Sequence, residues 1–252
     1  MTLPPFTGFD GKKALITGAA DGLGKAVADA LHAAGAQVWG TSRSAETTAQ
    51  ICARYGTEPI PGLDLSRPQD VASFTDAVDA VTGGIDLLVN NAGVNVPKPA
   101  LEITEDDWDT VFDINVKGTF LISQAFARRW VGTKTPGAIV NMASQAGIVA
   151  IEERAAYGSS KAALIHLTKQ LALEWAQYGI RVNAVAPTFV KTALTASTLE
   201  RGAWADELRS RIPLGRFGEA CEVAGPTLYL LSDAASLVTG TTLVADGGYT
   251  IR

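Results

Sequence analysis

Short apolar runs alternate along this chain with longer segments whose apolar residues recur at helical spacing. The short runs show no polar alternation, and strands of that kind are buried on both faces, as in a parallel sheet covered by helices. Because most of them are rich in Val, Ile and Leu and are bounded by polar or glycine residues, they favour strands over helices. We predict strands at 12–17, 37–41, 58–63 (the weakest), 85–90, 138–143, 180–186 and 241–245.

Segments of helical period separate these strands and define the expected architecture. Repeated strand–helix–strand units with short connections give a doubly wound parallel sheet with helices on both faces. The sequence therefore favours an α/β fold in which residues 1–252 form one Rossmann-type domain. Residues 188–216 lack a clear period and are expected to form a substrate loop. The predicted helices cover 22–34, 68–81, 104–129, 154–178 and 219–232.

Composition and charge narrow the function classes. Hydrophobic residues make up 47% of the chain and charged residues 19%, which allows a sizeable core and argues against global disorder. The formal net charge is −5 and no basic run is present, so we expect neither nucleic acid nor a membrane as a partner. The first residues lack a signal-like segment, and Cys52 and Cys221 stand far apart. We therefore expect a cytoplasmic protein with no metal site.

A glycine-rich turn follows the first predicted strand and leads directly into a helix. Gly18, Gly22 and Gly24 let the backbone turn sharply and approach a pyrophosphate, and the helix N-terminus offers free N–H groups to the phosphates. Asp21 and Leu23 belong to the same turn. Taken alone, such a pattern also occurs in ordinary strand-to-helix turns. Its place at the first turn of a doubly wound sheet favours dinucleotide binding.

Several further motifs accompany this turn, in a fixed order along nearly the whole chain. They are Asn90-Asn91-Ala92-Gly93, then Ser144 with Tyr157 and Lys161, then Pro187 with Thr192, and finally Asp246-Gly247-Gly248. With the GxxxGxG spacing of the turn, they make the chain resemble the short-chain dehydrogenase/reductase family. The resemblance implies an NAD(P)-dependent oxidoreductase that moves hydride between a nicotinamide and the carbon of a small alcohol or ketone.

Tyr157 and Lys161 are the expected centre of catalysis. They lie four residues apart in a predicted helix, so both side chains project from one face. We expect the lysine ammonium, about 4 Å away, to lower the tyrosine pKa by about three units from its usual value of about 10. Tyr157 would then act as general base in oxidation and general acid in reduction. Without the other motifs, a surface Tyr–Lys pair would be the simpler interpretation.

Two more residues complete the expected catalytic set. Ser144 ends an apolar strand, and we expect it to hydrogen-bond the substrate oxygen and stabilise charge that develops there. The resemblance implies that Asn115 holds a water molecule that connects Lys161 to solvent. His32 and His166 sit within helical periods, apart from each other and from any carboxylate cluster, and are expected to be structural.

The end of the second strand discriminates between NAD and NADP. An acidic residue there would bind the ribose hydroxyls of NAD, whereas a basic one can receive the 2′-phosphate of NADP. Ser42 and Arg43 resemble the NADP-preferring form of the family, although Arg43 could also be a solvated surface arginine. Asp21 instead disfavours NADP, because its carboxylate would repel the 2′-phosphate. We expect NADP(H) to be favoured, with NAD(H) still open.

The resemblance also implies contacts along the rest of the cofactor. Asp64 is expected beside the adenine, although it could instead cap the helix that follows. From adenine to nicotinamide, the expected contacts are Asp64, Leu65, Asn91, Ala92, Gly93, Tyr157, Lys161, Pro187, Val190 and Thr192.

Three substrate contacts are expected, at Ser144, Gln145 and Tyr157. The sequences around Ser144 and Pro187 resemble those of polyol, sugar and sugar-acid dehydrogenases of the family. Asn95 and Arg154 could add hydrogen bonds to a hydroxylated molecule, or they could be exposed loop residues.

Thr188 stands where the family has the glycine of its proline-glycine pair. The substitution adds a side chain next to the expected nicotinamide site. It is the clearest departure of this chain from the family pattern.

Two alternatives and an assembly complete the expectations. A 3-oxoacyl group on acyl carrier protein is the rival substrate, although only Arg128, Arg129 and Lys134 offer basic residues for an acidic partner. A catalytically silent dinucleotide-sensing protein on the same fold is a hypothesis of another class, which the intact catalytic residues disfavour. The helices at 104–129 and 154–178 resemble those through which the family forms homotetramers.

Overall fold

Six parallel strands form one twisted sheet in the order β2-β1-β3-β4-β5-β6 in the computed structural model, which describes residues 8–200 and 202–251. The strand order reverses at the β1/β3 boundary, so the connections leave the sheet in opposite directions and open a crevice at the carboxyl ends of the strands. The predicted doubly wound α/β fold is confirmed. The strands are β1 Lys13–Thr17, β2 Gln37–Thr41, β3 Leu87–Asn90, β4 Gly137–Met142, β5 Ile180–Pro187 and β6 Thr242–Ala245.

Helices cover both faces of the sheet and bury two hydrophobic clusters against it. One cluster joins Leu31 of α1 and Leu228 of α9 to β1, and the other joins Phe74 of α3 and Phe126 of α5 to β3 and β4. Strands covered in this way need apolar residues on both sides, which explains the uninterrupted apolar runs. The helices are α1 Gly22–Ala33, α2 Ala45–Arg54, α3 Pro68–Thr82, α4 Glu105–Phe112, α5 Thr119–Thr133, α6 Ala155–Trp175, α7 Ala193–Leu199, α8 Ala203–Ser210 and α9 Ala220–Leu231.

The strand predicted at 58–63 is wrong. Ile60 and Leu63 are buried as the apolar pattern required, but the segment has no ladder with β2. Its single backbone bond to the strand end is from the Leu63 N–H to the Ser42 carbonyl at 2.8 Å. Pro61, between the two apolar residues, has no N–H to donate to a ladder. Burial therefore produced the apolar pattern without sheet pairing.

The helix predicted at 104–129 is three elements in the structure. Thr104 caps α4 through a reciprocal capping box with Asp107, and α4 ends at Phe112. A π-helical turn, Asp113–Gly118, then connects α4 to α5. The chain stays helical on both sides of this single π turn, so apolar residues continue at nearly helical spacing and the pattern does not reveal the turn.

Three helices were missing from the prediction. Ser44 accepts a hydrogen bond from the Thr47 N–H and starts α2, a signal of the N-cap type that the sequence carries. The predicted loop at 188–216 contains α7 and α8, which are seven and eight residues long. Helices this short give too few turns for a periodic signal. None of the helices in the described part of the chain has the length and apolar character to span a membrane.

Candidate active site

A cleft of about 540 Å³ opens at the carboxyl ends of the strands, where the strand order reverses. Parallel strands deliver their ends and the following loops to the same edge, so residues distant in sequence meet there. The cleft brings together nearly all the predicted cofactor residues. Those that line it are Gly18, Asp21, Gly22, Leu23, Ser42, Arg43, Asp64, Leu65, Asn91, Ala92, Gly93, Ser144, Tyr157, Lys161, Pro187, Val190 and Thr192.

The glycine turn is fixed to the end of β3 by hydrogen bonds. The Asn91 Nδ2 group donates to the carbonyls of Thr17, at 3.1 Å, and Gly18, at 2.9 Å. In return, Thr17 Oγ1 accepts from the N–H groups of Asn91, at 3.1 Å, and Ala92, at 3.0 Å. Gly18 has a φ of +66°, a conformation that other residues adopt with difficulty. The turn therefore keeps its shape through its own contacts.

Gly24 lies beneath the turn and is buried. A Cβ atom added at this position would stand 2.2 Å from the Gly18 carbonyl oxygen and 2.4 Å from Asn91 Nδ2. The absence of a side chain therefore lets α1 approach the turn and the hydrogen bonds that Asn91 donates to Thr17 and Gly18, which we call the Asn91 clamp. The sequence predicted Gly24 to bind the cofactor. In the structure it does not line the cleft but supports the turn that does.

The cleft also contains the residues that the sequence predicted for the adenosine side of the cofactor. Arg43 is exposed, and Asp21 precedes α1 without accepting a side-chain cap hydrogen bond. The Ser66 hydroxyl donates to Asp64 Oδ1 at 2.7 Å and holds the pKa of that carboxyl below its usual value. Helix α3 begins after Arg67, so the alternative of Asp64 as its cap is wrong.

A second, smaller pocket of about 60 Å³ lies beyond the inner end of the cleft. It contains the predicted substrate residue Gln145, and also Asn95 and Arg154, the two residues that could add hydrogen bonds to a hydroxylated molecule. Ser144, Tyr157, Thr188 and Thr195 line both cavities, so these side chains mark the junction between them. The rest of the pocket is formed by Ala146, Ile151, Phe189 and Thr198.

The Tyr157 hydroxyl is hydrogen-bonded to Ser144 at this junction. Burial raises the pKa of Tyr157, because the charged phenolate loses its hydration, while the Ser144 hydrogen bond acts in the opposite direction. The predicted lowering of this pKa by Lys161 is therefore wrong for this structure. Lys161 Nζ lies 5.5 Å from the centre of the tyrosine ring. It donates instead to the Met142 carbonyl at 2.7 Å.

Lys161 lines the cleft, but its residue surface is only 4% exposed. Burial lowers its pKa from 10.5 to about 8, since the ammonium loses hydration and no carboxylate contributes to the shift. The Met142 carbonyl supplies a hydrogen bond but no charge. The position next to Gly93 and Met142 could not be read from the sequence, because one neighbour is a glycine and the other contributes only its backbone.

Asn115 lies in the π-helical turn and is fully buried. Its Nδ2 group donates to the Val94 carbonyl at 2.9 Å and to Ser160 Oγ at 3.0 Å, and its Oδ1 accepts from the Val94 N–H at 2.8 Å. Ser160 in turn donates to the Tyr157 carbonyl at 2.7 Å. Asn115 thus connects the loop after Gly93 to the first turn of α6, which carries Tyr157.

Thr195 and Thr198 are site residues that the sequence did not predict. Both lie in α7, which the apolar pattern missed. At the start of this helix the Thr192 N–H donates to Thr195 Oγ1 at 3.2 Å, and that threonine spacing was the available signal. Thr198 Oγ1 accepts from Arg154 Nη2 at 2.9 Å, so α7 closes the small pocket.

A dinucleotide-sized cleft at a topological switch point, continuous with a polar pocket through a serine–tyrosine pair, defines a nucleotide-dependent oxidoreductase. Residues 18–250 match the family model described as Enoyl-(Acyl carrier protein) reductase. The chain is 42% identical over 247 residues to a D-threitol dehydrogenase of Mycolicibacterium smegmatis, with 96% of this chain and 94% of the relative covered. It therefore belongs to the short-chain dehydrogenase/reductase family, as the sequence motifs predicted.

Two further relatives agree with this assignment. The chain is 39% identical over 259 residues to an NAD-dependent glycerol dehydrogenase of Listeria innocua, with 98% of this chain and 99% of the relative covered. A crystal structure of a gluconate 5-dehydrogenase from Burkholderia cenocepacia in complex with NADP and tartrate matches with a TM-score of 0.92 at 34% identity. That match covers 96% of each chain. The protein is an NAD(P)-dependent oxidoreductase that acts on CH–OH groups.

Proposed function

We propose that this enzyme transfers hydride between NADP(H) and the secondary alcohol or ketone of a small polyhydroxylated molecule, a polyol, sugar or sugar acid. The observation that carries the proposal is the junction at which Ser144 and Tyr157 line both cavities. A dinucleotide in the larger cavity and a substrate in the smaller one would meet there. The relatives named for threitol, glycerol and gluconate support the substrate class.

The chemistry divides between the cofactor and the side chains. The nicotinamide, when bound, supplies or accepts the hydride. Tyr157 donates its proton to the substrate oxygen during reduction and takes it back during oxidation. In the protein without cofactor, burial raises the pKa of Tyr157 and the Ser144 hydrogen bond acts against that shift. Ser144 hydrogen-bonds the same oxygen and stabilises the charge that develops on it.

Lys161 and Asn115 support that proton transfer. The ammonium of Lys161 favours the phenolate whenever Tyr157 loses its proton, and it lines the cleft next to Gly93. Asn115 fixes the start of α6 through Ser160 and thereby orients Tyr157. We assign Asn115 a positioning role, because its amide protons are used by Val94 and Ser160.

The residues of the larger cleft suit a dinucleotide. Gly18, Gly22 and the N-terminus of α1 would hold the pyrophosphate, with Leu23 beside it and Gly24 allowing the close approach. Ser42 and Arg43 would receive the 2′-phosphate of NADP, and Asp21 would favour NAD. Asp64 and Leu65 would flank the adenine, and Asn91, Ala92 and Gly93 the adenosine ribose. Val190 and Thr192 would contact the carboxamide, with Pro187 also lining this part of the cofactor site. We favour NADP(H), with NAD(H) as the second cofactor.

The whole chain works as one catalytic domain, and 188–216 is its substrate loop. Phe189, Thr195 and Thr198 of that segment line the small pocket. The enzyme works in the cytoplasm, since free cysteines such as Cys52 and Cys221 suit a reducing compartment. It assembles as a homotetramer through α4, α5 and α6, which replace the helices predicted at 104–129 and 154–178, and the exposed Trp108 of α4 and Leu173 of α6 offer apolar contact area.

An activity screen tests this function. The purified protein is assayed with NADPH and NADH against ketoses and 3-ketoesters, and with NADP⁺ and NAD⁺ against polyols and sugar acids, by absorbance at the nicotinamide band. We expect turnover with polyhydroxylated substrates and a higher kcat/KM with NADP(H). Preference for 3-ketoesters would favour the 3-oxoacyl reductase instead. Tight cofactor binding with no turnover of any compound would indicate the dinucleotide-sensing protein.

A further inference from the structure

Three oxygen atoms in the small pocket are buried without a hydrogen-bond partner. They are Asn95 Oδ1, Gln145 Oε1 and Thr188 Oγ1. Across the described ranges, 8–200 and 202–251, six buried side-chain oxygens lack a partner, and half of them lie in this one pocket. A buried polar atom without a partner costs free energy, so it usually has a water or ligand that completes it. Their concentration in the pocket indicates a ligand with matching groups.

The three atoms lie on the substrate side of the junction. Asn95 and Gln145 line the small pocket, whereas Thr188 lines both cavities together with Ser144 and Tyr157. The side chain of Gln145 is only 1% exposed and follows Ser144 directly in a 3₁₀ turn. An oxygen of the substrate held by Ser144 and Tyr157 would therefore leave its neighbouring carbon atoms facing Gln145, Asn95 and Thr188.

Thr188 adds an observation of its own to this set. It replaces the glycine expected after Pro187, and a glycine would bring no polar atom to the junction. The hydroxyl it introduces is buried and unpaired, although its backbone N–H donates to the Ala245 carbonyl at 3.2 Å. The backbone is thus held by the sheet while the side chain is available to a ligand.

The polarity of the unpaired atoms indicates which ligand groups fit. Amide oxygens accept hydrogen bonds and need a donor, which a hydroxyl group provides and a carboxylate or an alkyl group does not. Arg154 is the positively charged residue of the pocket, and its guanidinium already donates to Thr198 Oγ1 at 2.9 Å and to the Glu153 carbonyl at 3.0 Å. The pocket volume of about 60 Å³ accommodates a short molecule.

We infer that Asn95, Gln145 and Thr188 form a hydroxyl-recognition subsite. It makes the enzyme selective for a short, neutral substrate that carries hydroxyl groups on the carbons next to the reacting carbon. Carboxylates and simple alkyl alcohols at those carbons are disfavoured. This selectivity rests on the proposed oxidoreductase function and narrows its substrate class, since sugar acids then become poor substrates.

Two matched substrate pairs test the subsite. D-threitol and butan-2-ol have four carbons and differ in the hydroxyl groups that flank the reacting carbon. D-threitol and D-threonate differ in a terminal carboxylate. With the wild-type enzyme and NADP⁺, we expect kcat/KM for D-threitol to exceed that for butan-2-ol at least 100-fold and that for D-threonate at least tenfold.

Variants then assign the selectivity to the unpaired atoms. Thr188→Val and Gln145→Met remove the polar atoms at similar side-chain volume. Each should lower the threitol-to-butan-2-ol ratio of kcat/KM about tenfold. Thr188→Ser keeps the hydroxyl and should keep the ratio. Thr242→Val is the control, because Thr242 Oγ1 is also buried and unpaired but lies in β6.

The results separate the subsite from the activity itself. Equal losses for D-threitol and butan-2-ol in Thr188→Val and Gln145→Met would assign these residues a structural role and overturn the inference. So would faster turnover of D-threonate than of D-threitol, or the same change of ratio in Thr242→Val. Wild-type turnover of alcohols without the expected ratios leaves the oxidoreductase function standing and refutes the subsite. No turnover of any alcohol or ketone would refute both.

Discussion

The large cleft proposed for the nucleotide and the small pocket proposed for the substrate are neighbours, but they are built from different parts of the chain. In the cleft, the glycine turn is held by Asn91 and Thr17, whose hydrogen bonds are satisfied within the protein. In the pocket, Gln145 and Thr188 keep unpaired oxygens. A cofactor site built from backbone geometry can serve every member of a family, whereas a pocket built from side chains carries the specificity of one chain.

The walls of the two regions differ as well. The cleft is walled by strand ends and the starts of long helices, which hold their place in the sheet. The pocket is walled partly by α7, held by the Arg154–Thr198 hydrogen bond, and by the loop before α6, where Glu153 has a φ of +58°. A non-glycine residue in that conformation is strained, and such strain is concentrated near functional sites. Under the proposed function, substrate specificity therefore depends on the less regular part of the fold.

Tyr157→Phe should have the largest effect, since Tyr157 belongs to both regions. Removing the hydroxyl deletes the proton-transfer group while leaving the ring in place. We expect kcat to fall about 10³-fold with the Kd for NADPH unchanged, measured by steady-state kinetics and by nucleotide fluorescence. A loss of NADPH affinity of similar size would mean that the Tyr157 hydroxyl contributes to cofactor binding rather than to proton transfer.

Lys161→Met separates the stability cost of the buried ammonium from its role in the site. The folded protein releases this proton near pH 8, whereas the unfolded chain holds it until about pH 10.5. Between these values the unfolded state binds more protons, so the free energy of unfolding rises with pH. At pH 7 the variant should be more stable than the wild type by up to about 3 kcal/mol. Its free energy of unfolding should no longer rise with pH over this window.

Urea unfolding at pH 7 and pH 9.5 measures this difference. Lys25→Met is the control, because Lys25 forms an exposed ion pair with Asp29 in α1. It should leave the pH dependence as in the wild type. A Lys161→Met protein whose stability still rises over this window would show that another group carries the proton.

Gly24→Ala tests whether the cleft depends on backbone packing. The new Cβ would overlap the Gly18 carbonyl, so the turn and the Asn91 clamp must move. We expect a loss of about 2 kcal/mol in stability and weaker NADPH binding, read by thermal unfolding and fluorescence titration. Gly132→Ala in α5 is the matched control, since nothing lies within 4 Å of its added Cβ. It should stabilise the helix by about 1 kcal/mol.

Arg43→Ala should have the smallest effect and concerns a single phosphate. We expect the KM for NADPH to rise about tenfold while the KM for NADH changes little, because NADH lacks the 2′-phosphate. Arg209→Ala, an exposed arginine of α8 paired with Asp206, is the charge-matched control. Equal changes for both cofactors would argue that Arg43 acts on the shared part of the dinucleotide.

The sequence predicted the cleft far better than the pocket. Gly18, Asn91 and Lys161 could be assigned because they belong to motifs that resemble those of the family, and because these motifs follow strands and lie on a helix whose periods are visible along the chain. Thr195 and Thr198 could not, because α7 is too short to show a period. The π turn at Asn115 and the irregular segment around Pro61 were misjudged for a related reason: burial gives apolar spacing whether or not the backbone is regular.

The pKa of Tyr157 is another property that the sequence did not predict. Sequence spacing correctly brought Tyr157 and Lys161 to one face of a helix, but the direction of the lysine ammonium depends on Met142, whose carbonyl binds it. The direction of the tyrosine pKa depends on how much water the surrounding loops exclude. Neither quantity is local to the helix.

The sequence by itself determined the six strands, the long helices between them, the glycine turn and the motifs that gather at the strand ends. These follow from short-range periodicity and from the rule that parallel strands end at one edge. Only the tertiary structure decided which polar atoms remain unpaired, which charges are buried and where α7 closes the pocket. Those properties depend on contacts between segments far apart in the chain, and solvation is set by everything that surrounds a group.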